Sequence, residues 1–371
     1  MKIRINSLRL FICIIAFTAL YMAAAMSFGQ PPELNSESFP DEKFLDFTFE
    51  QPDFSIQDSL FNPTDFMVAN NTLYVLDYRA ARPVLCYDAQ TGEFLHYLTE
   101  YGRGPNELTN SGPKRMSVST ENLYVLDSDL TFNVIPLHSA SNAEPTRIGI
   151  PQRHFDMGYD PEKHQAVFRG SMTGANHLLY LYEYANKKLH LRDSLVTLHD
   201  QKPLRPLLNN PLLNQGPFHY DVNSQTAFVG FSYSTILVSA QIDDHAVKPF
   251  DGPNFFPLPK TRAKKNYYES PDATKHTDTY IDFATDSAYL YAVYSGVRWR
   301  TRDFIQGNYK LGSGKILRIF SLMSAEYIGS IEIPYWTKRI AVTENSLFIY
   351  TESPVPQIIR YKTPDISHLS L

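Results

Sequence analysis

The stretch Leu73–Asp77 reads Leu-Tyr-Val-Leu-Asp, and the same five residues return fifty positions later at Leu123–Asp127. Looser versions of this strand follow along the chain, at Ala166–Arg169, Ala227–Gly230, Leu290–Val293 and Leu347–Tyr350. Repeats of about 40 to 60 residues, each dense in short apolar strands, are typical of a β-propeller. The pattern therefore predicts an all-β protein.

The repeats also predict how many blades there are and how the ring closes. The first repeat divides into four strand-like pieces between residues 66 and 101, whereas the sixth contains only three. We expect a six-bladed β-propeller in one domain, 44–371. Because an open ring exposes sheet edges, we expect the alternating segment 45–50 to join the last blade as its outer strand. A ring of seven or eight blades and a pair of β-sandwiches remain the alternatives.

The first 29 residues have the pattern of a secretory signal peptide. Lys2, Arg4 and Arg9 precede an apolar run over 10–25, and Ser27–Gly29 offers a small-x-small cleavage pattern. The run is short for a membrane anchor, which is the alternative. We expect cleavage, a flexible leader over 30–43, and export to the periplasm or cell envelope. No lipobox cysteine follows the apolar run.

Composition excludes several classes of partner. The 371 residues carry a net charge of −5, which becomes −8 once residues 1–29 and their three basic side chains are removed. A mildly acidic exported chain is a poor candidate for binding nucleic acid or an anionic membrane. Only Cys86 remains after cleavage, so no internal disulfide forms, and its place in an alternating strand predicts a core residue.

Two sets of motifs resemble a known family. Gly102–Leu108 followed by Asn122–Asp127 resembles the NHL-type propeller repeat, in which a Gly-Pro-rich loop precedes a Tyr-Val-x-Asp strand. Together with Tyr280–Asp286 and Tyr289–Gly296, these motifs are similar to the TolB-like six-bladed propeller family of exported proteins from Bacteroidetes-type bacteria. The resemblance implies a propeller fold, a cell-envelope setting and a binding role, without an established chemistry.

The repeat also predicts which side chains surround one mouth of the ring. Loops between the second and third strands of each blade, and crossovers between blades, lie on the same face of a propeller. The predicted ligand-binding residues on that face are Asp77, Arg79, Arg103, Asp127, Arg169, Tyr233, Arg298, Trp299 and Glu352. Such groups suit a sugar, a peptide or a polar metabolite. The alternative is structural, with aspartates that cap turns and a Gly-Arg-Gly-Pro crossover.

Signals for catalysis and cofactors are weak. The chain has no Gly-x-Ser-x-Gly elbow, no His-x-His pair and no calcium loop of the Asp-x-Asp-x-Asp-Gly type. We therefore predict no catalytic residue, no metal-binding residue and no cofactor. Calcium held by acids at 77, 127 and 352 is the alternative.

These observations favour a non-catalytic propeller that binds a ligand or protein in the periplasm or cell envelope. The alternative is an enzyme, either a metal-dependent hydrolase of the lactonase type or a glycan-processing enzyme. A third possibility is a structural partner in an envelope complex. The expected partner is an envelope protein, a peptide or a glycan, with no membrane span after signal cleavage. The basic run Lys260–Lys265 is either a solvated loop or a docking patch for an acidic partner or polysaccharide.

Overall fold

The computed structural model describes twelve ranges of the chain, all within a compact unit that spans Phe39–Leu371. The described residues are 42–104, 107–109, 113–127, 131–137, 146–150, 154, 156–170, 176–260, 263–264, 267–268, 276–298 and 312–366. The predicted signal peptide and nearly all of the predicted leader lie outside them. No helix among the described residues has both the length and the apolar character needed to cross a bilayer.

The described part of the chain is almost entirely β-structure. Its strands are β1 Phe54–Ile56, β2 Pro63–Ala69, β3 Thr72–Asp77, β4 Val84–Asp88, β5 Phe94–Tyr101, β6 Glu107–Leu108, β7 Pro113–Val118, β8 Asn122–Asp127, β9 Thr131–Pro136, β10 Thr146–Gly149, β11 Asp156–Asp160, β12 Gln165–Arg169, β13 His177–Ala185, β14 Lys188–Thr197, β15 Phe218–Asp221, β16 Thr226–Phe231, β17 Ser234–Gln241, β18 Val247–Phe250, β19 Ala263–Lys264, β20 Tyr267–Tyr268, β21 Asp278–Thr285, β22 Tyr289–Val297, β23 Gly314–Ser321, β24 Tyr327–Val342, β25 Ser346–Thr351 and β26 Gln357–Lys362. A short α-helix, Pro206–Asn209, lies between two 3-10 turns, Lys202–Leu204 and Pro211–Asn214.

Four blades follow one another along the chain. The first is a five-stranded sheet in the order β2-β3-β4-β5-β6, and the next three are four-stranded sheets made of β7–β10, β11–β14 and β15–β18. Neighbouring strands pair antiparallel, except for the parallel contact of β5 with β6. Each blade is built from consecutive strands, which is the order that the repeats predict.

The prediction of a six-bladed propeller is wrong, because the structure has four blades. The strands expected to form blades five and six belong instead to one seven-stranded sheet, in the order β1-β26-β25-β24-β23-β22-β21. The 16-residue β24 pairs with β23 through its first half and with β25 through its second half, and so joins the two sets of strands. The sheets form a β-propeller arrangement, and neither a ring of seven or eight blades nor two sandwiches describes them.

Pro334 explains why the sequence predicts two strands where the structure has one. A proline normally ends a ladder because it lacks an N–H donor. Pro334 lies between the last residue of β24 that pairs with β23 in regular register, Glu332, and the start of the pairing with β25 at Thr337. Neither ladder needs its missing N–H, so the strand continues through it.

The N-terminal segment reaches the last sheet, but at different residues from those predicted. Phe54–Ile56 pairs antiparallel with β26, whereas the predicted segment 45–50 forms no strand. Leu45, Phe47 and Phe49 pack on the seven-stranded sheet instead, with the Phe49 ring 4.9 Å from the ring of Tyr361. The alternation that suggested a strand therefore reflects side-chain packing.

The repeated strand motif forms the cores between sheets. Leu73, Val75, Leu123 and Val125 are fully buried in one cluster that joins the first two blades and the last sheet. Burial of such side chains contributes about 1.5–3 kcal/mol each relative to exposure. Cys86 lies in the same cluster, as predicted.

Candidate functional site

A central cavity of about 320 Å³ lies where the first strands of the sheets converge. Residues of β2, β7, β11 and β15 line it, one strand from each blade, together with β21 and the second half of β24 from the seven-stranded sheet. A β-strand directs alternate side chains to opposite faces, so every second residue of these strands points towards the cavity or its edge.

Charged residues occupy equivalent positions on these strands: Asp65, Arg115 and Asp282 line the cavity, and Asp156 and Arg339 are hydrogen-bonded to Arg115 and Asp282. Asp65, Arg115, Asp156, Asp282 and Arg339 each pair in register with the fourth residue of the repeated motif or its equivalent on the neighbouring strand. Along the chain they are an acid, a base, an acid, an acid and a base. We call these five residues the charged layer.

The same pair of hydrogen bonds to an aspartate occurs twice in the charged layer. Arg115 Nη1 donates to Asp65 Oδ1 over 3.2 Å, and the adjacent Met116 N–H donates to Asp65 Oδ2 over 2.9 Å. In the seven-stranded sheet, Arg339 Nη1 donates to Asp282 Oδ1 over 2.8 Å, and the following N–H, of Ile340, donates to Asp282 Oδ2 over 2.9 Å. Each pair of hydrogen bonds links one inner strand to the next.

Arg115 also donates a hydrogen bond to a second carboxylate. Its Nε donates to Asp156 Oδ1 over 2.6 Å, so one guanidinium bridges strands from three blades. Asp282 and Arg339 form a balanced pair, whereas Asp65 and Asp156 share one cation. With all groups ionised, the layer carries three negative and two positive charges, an excess of one negative charge.

The pKa values reflect this imbalance. Burial raises the pKa of Asp65, and the positive charges of Arg115 and Arg339 only partly oppose the rise. Burial acts against the charge of Arg115 as well, but the carboxylates of Asp156, Asp65 and Asp282 outweigh it and raise its pKa. Arg115 therefore stays charged, and Asp65 is the carboxylate in the layer that gains most from an additional positive charge or a proton.

Smaller residues surround the cavity beyond the charged layer. Two positions further along their strands stand Met67, Ser117, Gly158, Ala284 and Ala341, and the Tyr220 side chain fills the space beside Gly158. On β15, which contributes no residue to the charged layer, the larger residue His219 lines the cavity, and its Nε2 lies 2.8 Å from Thr285 Oγ1. Burial lowers the pKa of His219, so its imidazole is neutral at neutral pH.

The predicted ligand-binding residues lie elsewhere. None of the eight that the structure describes is among the residues that line the central cavity, and Trp299 lies outside the described residues. Asp77 is fully buried and accepts backbone N–H bonds from Phe61, Asn62, Arg79 and Ala80. The structure thus brings Asp77 and Arg79 together through the Arg79 backbone, while the Arg79 residue itself is exposed.

Asp127 repeats part of this arrangement in the second blade. Its Oδ2 accepts from the Thr109 hydroxyl over 2.8 Å and from the Asn133 amide over 3.2 Å. Arg103 is exposed on the crossover, between two glycines that lie against the Glu107 carboxylate. A Cβ at Gly102 or Gly104 would overlap that carboxylate, and Gly104 donates to it over 2.6 Å.

Arg169 is a fully buried guanidinium between the third and fourth blades. It donates to Asn214 Oδ1 and to the backbone oxygens of Gly216, Pro217 and Gly230, over 2.5–3.0 Å. Its hydrogen-bond partners are neutral, and burial lowers the pKa of Arg169 to about 9, although the negative charge of Asp156, its register partner on β11, opposes the fall. These bonds fix the entry of the chain into the fourth blade.

The remaining predicted residues are dispersed. Glu352 pairs with Lys338 over 2.5 Å and accepts a bond from the Tyr350 hydroxyl. The Tyr233 ring lies 6.2 Å from that of His276, and Arg298 is exposed at the end of β22. Within the described ranges, no group of three or more His, Cys, Asp or Glu is arranged to hold a metal ion.

The charged layer was not predicted, because the predicted site residues were taken from loops and crossovers, whereas the charged layer lies on strands. Asp65, Arg115 and Asp282 lie on inner strands that are otherwise mostly apolar, and each stands opposite an apolar residue of the partner strand, Leu76, Leu126 and Val293. A charge recurring at one register position of a predicted inner strand is the signal that identifies them.

No family model matches this sequence, and no curated protein is significantly similar to it. Solved structures are similar in fold. A DUF4221 family member from Bacteroides vulgatus has a TM-score of 0.56 at 10% identity, over 85% of this chain and 96% of that one. A protein from Bacteroides fragilis, described as exported, has a TM-score of 0.54 at 10% identity, over 90% and 98%. The Cps50 (Swd1) β-propeller domain of Myceliophthora thermophila has a TM-score of 0.47 at 11% identity, over 85% and 99%.

At these identities, the similarity to the two Bacteroides proteins concerns the fold alone. It agrees with the all-β propeller arrangement of the described strands. It says nothing about a ligand.

Proposed function

We propose that this protein is a non-catalytic binding protein whose central cavity takes a small ligand bearing a cationic amine or guanidinium group. The observation that supports the proposal is the excess carboxylate of the charged layer, which lies at the edge of an open cavity. The cavity volume of about 320 Å³ falls in the range of pockets for small molecules.

Electrostatics favours a cation over other ligands. Asp65 and Asp156 share the single guanidinium of Arg115, and the side chains of all three are at most 14% exposed. The pKa of Asp65 stays raised despite the positive charges of Arg115 and Arg339, so the desolvation of this buried carboxylate is not fully offset by its partners. A ligand ammonium group would supply a positive charge beside Asp65, and the cavity of about 320 Å³ has room for its carbon chain.

We further propose that the protein is exported and acts in the periplasm or cell envelope, as a TolB-like propeller with NHL-type repeats. The signal-peptide pattern over 1–29 supports export. The structurally similar protein from Bacteroides fragilis is itself described as exported. The Gly-Arg-Gly-Pro crossover supports the NHL-type assignment.

Calorimetric titration with putrescine and agmatine tests the proposed ligand class. We expect saturable binding of these two cations, and no binding of 1,4-butanediol or succinate, which match putrescine in length but are neutral and anionic. Asp156→Asn keeps an oxygen for the Arg115 and Met157 donors while it removes the excess charge. We expect this variant to bind the amines at least about tenfold more weakly, which corresponds to about 1.4 kcal/mol.

The control is Asp58→Asn, which removes an exposed carboxylate on a surface turn. We expect it to bind amines as the native protein does. Equal binding of butanediol or succinate, or unchanged amine affinity in Asp156→Asn, would show that the charged layer does not select a cation.

A further inference from the structure

A second cavity, of about 690 Å³, lies beside the turn between β16 and β17, and it is distinct from the central cavity. We call it the proline groove. Its lining residues are Lys202, Pro203, Pro206, Tyr233, Phe256, Pro257, Leu258, Pro259, Lys260, His276 and Thr277. Four prolines and three rings thus face one open groove.

One wall of the groove is held firmly to the fourth blade. Phe256 N donates to Thr235 Oγ1 over 2.7 Å, and the Phe256 oxygen accepts from Ser234 Oγ over 2.7 Å and from Thr235 N over 3.1 Å. Leu258 is 4% exposed and packs in the apolar cluster of the third and fourth blades. The Phe256 ring itself remains 37% exposed, so it presents a fixed apolar surface.

The opposite wall is the turn that carries Lys202 and Pro203 and the start of the short helix at Pro206. Leu204 and Leu207 anchor this wall in the same apolar cluster. Prolines have a fixed backbone φ, so the wall is set before any ligand arrives. A preformed groove loses little conformational freedom on binding.

The charge of the groove has one sign. Lys202 and Lys260 are exposed along it, and its described lining residues include no Asp or Glu. Lys260 is also the first residue of the basic run Lys260–Lys265. In a chain whose net charge is negative, this is a surface that complements an anionic partner.

We propose that the proline groove docks a short extended segment of a partner protein, with proline or phenylalanine anchors flanked by carboxylates. Grooves lined by aromatic rings bind proline-rich segments in extended conformation. Among the described lining residues there is no Asn, Gln, Asp or Glu to form hydrogen bonds with sugar hydroxyl groups. A peptide therefore fits the groove better than a glycan. This proposal does not depend on the ligand of the central cavity.

Fluorescence anisotropy with a labelled peptide tests the proposal. The probe is a ten-residue peptide of proline and glutamate around one central phenylalanine, and the matched peptides carry lysine for glutamate or serine for proline. We expect the acidic peptide to bind saturably and each matched peptide to bind at least about tenfold more weakly. Binding should weaken as salt rises above about 50 mM, since exposed charges are screened.

Variants of the protein locate the binding. The double change Lys202→Glu and Lys260→Glu reverses the charge of the groove, and Phe256→Ala removes its fixed ring; we expect each to weaken binding about tenfold. Lys188→Glu reverses an exposed charge on β14 and should have no effect, and Asp156→Asn in the central cavity should have none either.

Absence of saturable binding up to about 1 mM peptide would overturn the proposal. Equal affinity for the lysine peptide, or unchanged peptide affinity in the groove variants, would also overturn the proposal. Binding of an oligogalacturonate, with the same variant sensitivity and without peptide binding, would identify an acidic glycan as the occupant and exclude the peptide.

Discussion

Asp77 shows how one buried carboxylate can organise a loop. It ends the repeated motif, and four backbone N–H groups from two segments point to its oxygens. An acid in this position satisfies donors that the turn cannot pair internally. The observed contacts are those of the turn-capping alternative, and they leave the proposed ligand role of Asp77 untested.

We predict that Asp77→Ala lowers the free energy of unfolding by about 2–4 kcal/mol, since four backbone donors lose the buried carboxylate that accepts from them. Urea denaturation monitored by circular dichroism would measure the change. Asp58→Ala, at an exposed turn position, should cost less than about 0.5 kcal/mol. A similar cost for both variants would contradict the capping role.

His154 gives a prediction at acid pH. Its ring is 3% exposed, Nδ1 donates to the Gly170 carbonyl, and burial lowers the pKa of His154 to about 4. In the unfolded chain its pKa is about 6.5, so the unfolded state binds more protons between these values. Stability therefore falls as pH falls through this window, by about 3 kcal/mol for this group alone.

The variant His154→Asn keeps a side-chain N–H for the Gly170 carbonyl but cannot titrate. We expect its stability to fall less steeply than that of the native protein between about pH 6.5 and pH 4. Urea midpoints across this range would measure the difference. Parallel curves for the two proteins would mean that His154 is not a buried neutral imidazole.

At the scale of elements, the N-terminal segment is fastened by a buried ion pair. Glu42 accepts bonds from Arg318, from the Tyr327 hydroxyl over 2.9 Å and from the Ser330 hydroxyl over 2.6 Å. The Arg318 guanidinium also stacks on the Tyr294 ring at 3.4 Å from its centre. Residues predicted as the end of a flexible leader are thus fixed on the seven-stranded sheet.

We predict that Glu42→Ala lowers the free energy of unfolding by about 3–5 kcal/mol, because it leaves the buried guanidinium of Arg318 without a counter-charge. The measurement is chemical denaturation, with proteolysis to detect release of the N-terminal segment. The double variant Glu42→Ala and Arg318→Met should recover part of the loss. Failure of the second change to recover any stability would argue against an uncompensated charge as the cause.

The elements also show what local sequence can predict. Strands β3, β8 and β25 begin and end within one residue of the repeated apolar motif that predicts them, whereas β22 continues beyond its motif to Val297. The junction inside β24 was not predicted, because Pro334 resembles a strand end unless both neighbouring ladders are known. The strand predicted for segment 45–50 is absent, because its alternation of apolar and polar residues comes from side-chain packing on the seven-stranded sheet and not from strand pairing.

At the scale of the whole molecule, Arg115 joins three blades. It bonds to Asp65 of the first and Asp156 of the third, from its own place in the second. Its removal leaves both carboxylates without the guanidinium that pairs with them. We predict that Arg115→Gln lowers the free energy of unfolding by about 3–5 kcal/mol at neutral pH.

The pH dependence of this variant identifies the mechanism. Without Arg115, the pKa of Asp65 rises further in the folded state, so the folded state binds more protons than the unfolded chain. Stability of Arg115→Gln should therefore recover as pH falls from 7 towards about 5. Adding Asp65→Asn and Asp156→Asn should restore stability at neutral pH, and the absence of both effects would contradict a charge origin.

The all-β class, the position of most strands and the pairing order of consecutive strands follow from the amino-acid sequence alone. Apolar periodicity and turn residues encode these features locally, within a few residues. That two sets of strands share one sheet, and that Arg115 joins Asp65 and Asp156 beside a central cavity, depends on the three-dimensional arrangement of the sheets. These residues are up to 91 positions apart, and their contact depends on how the sheets are arranged around the cavity, which no local pattern specifies.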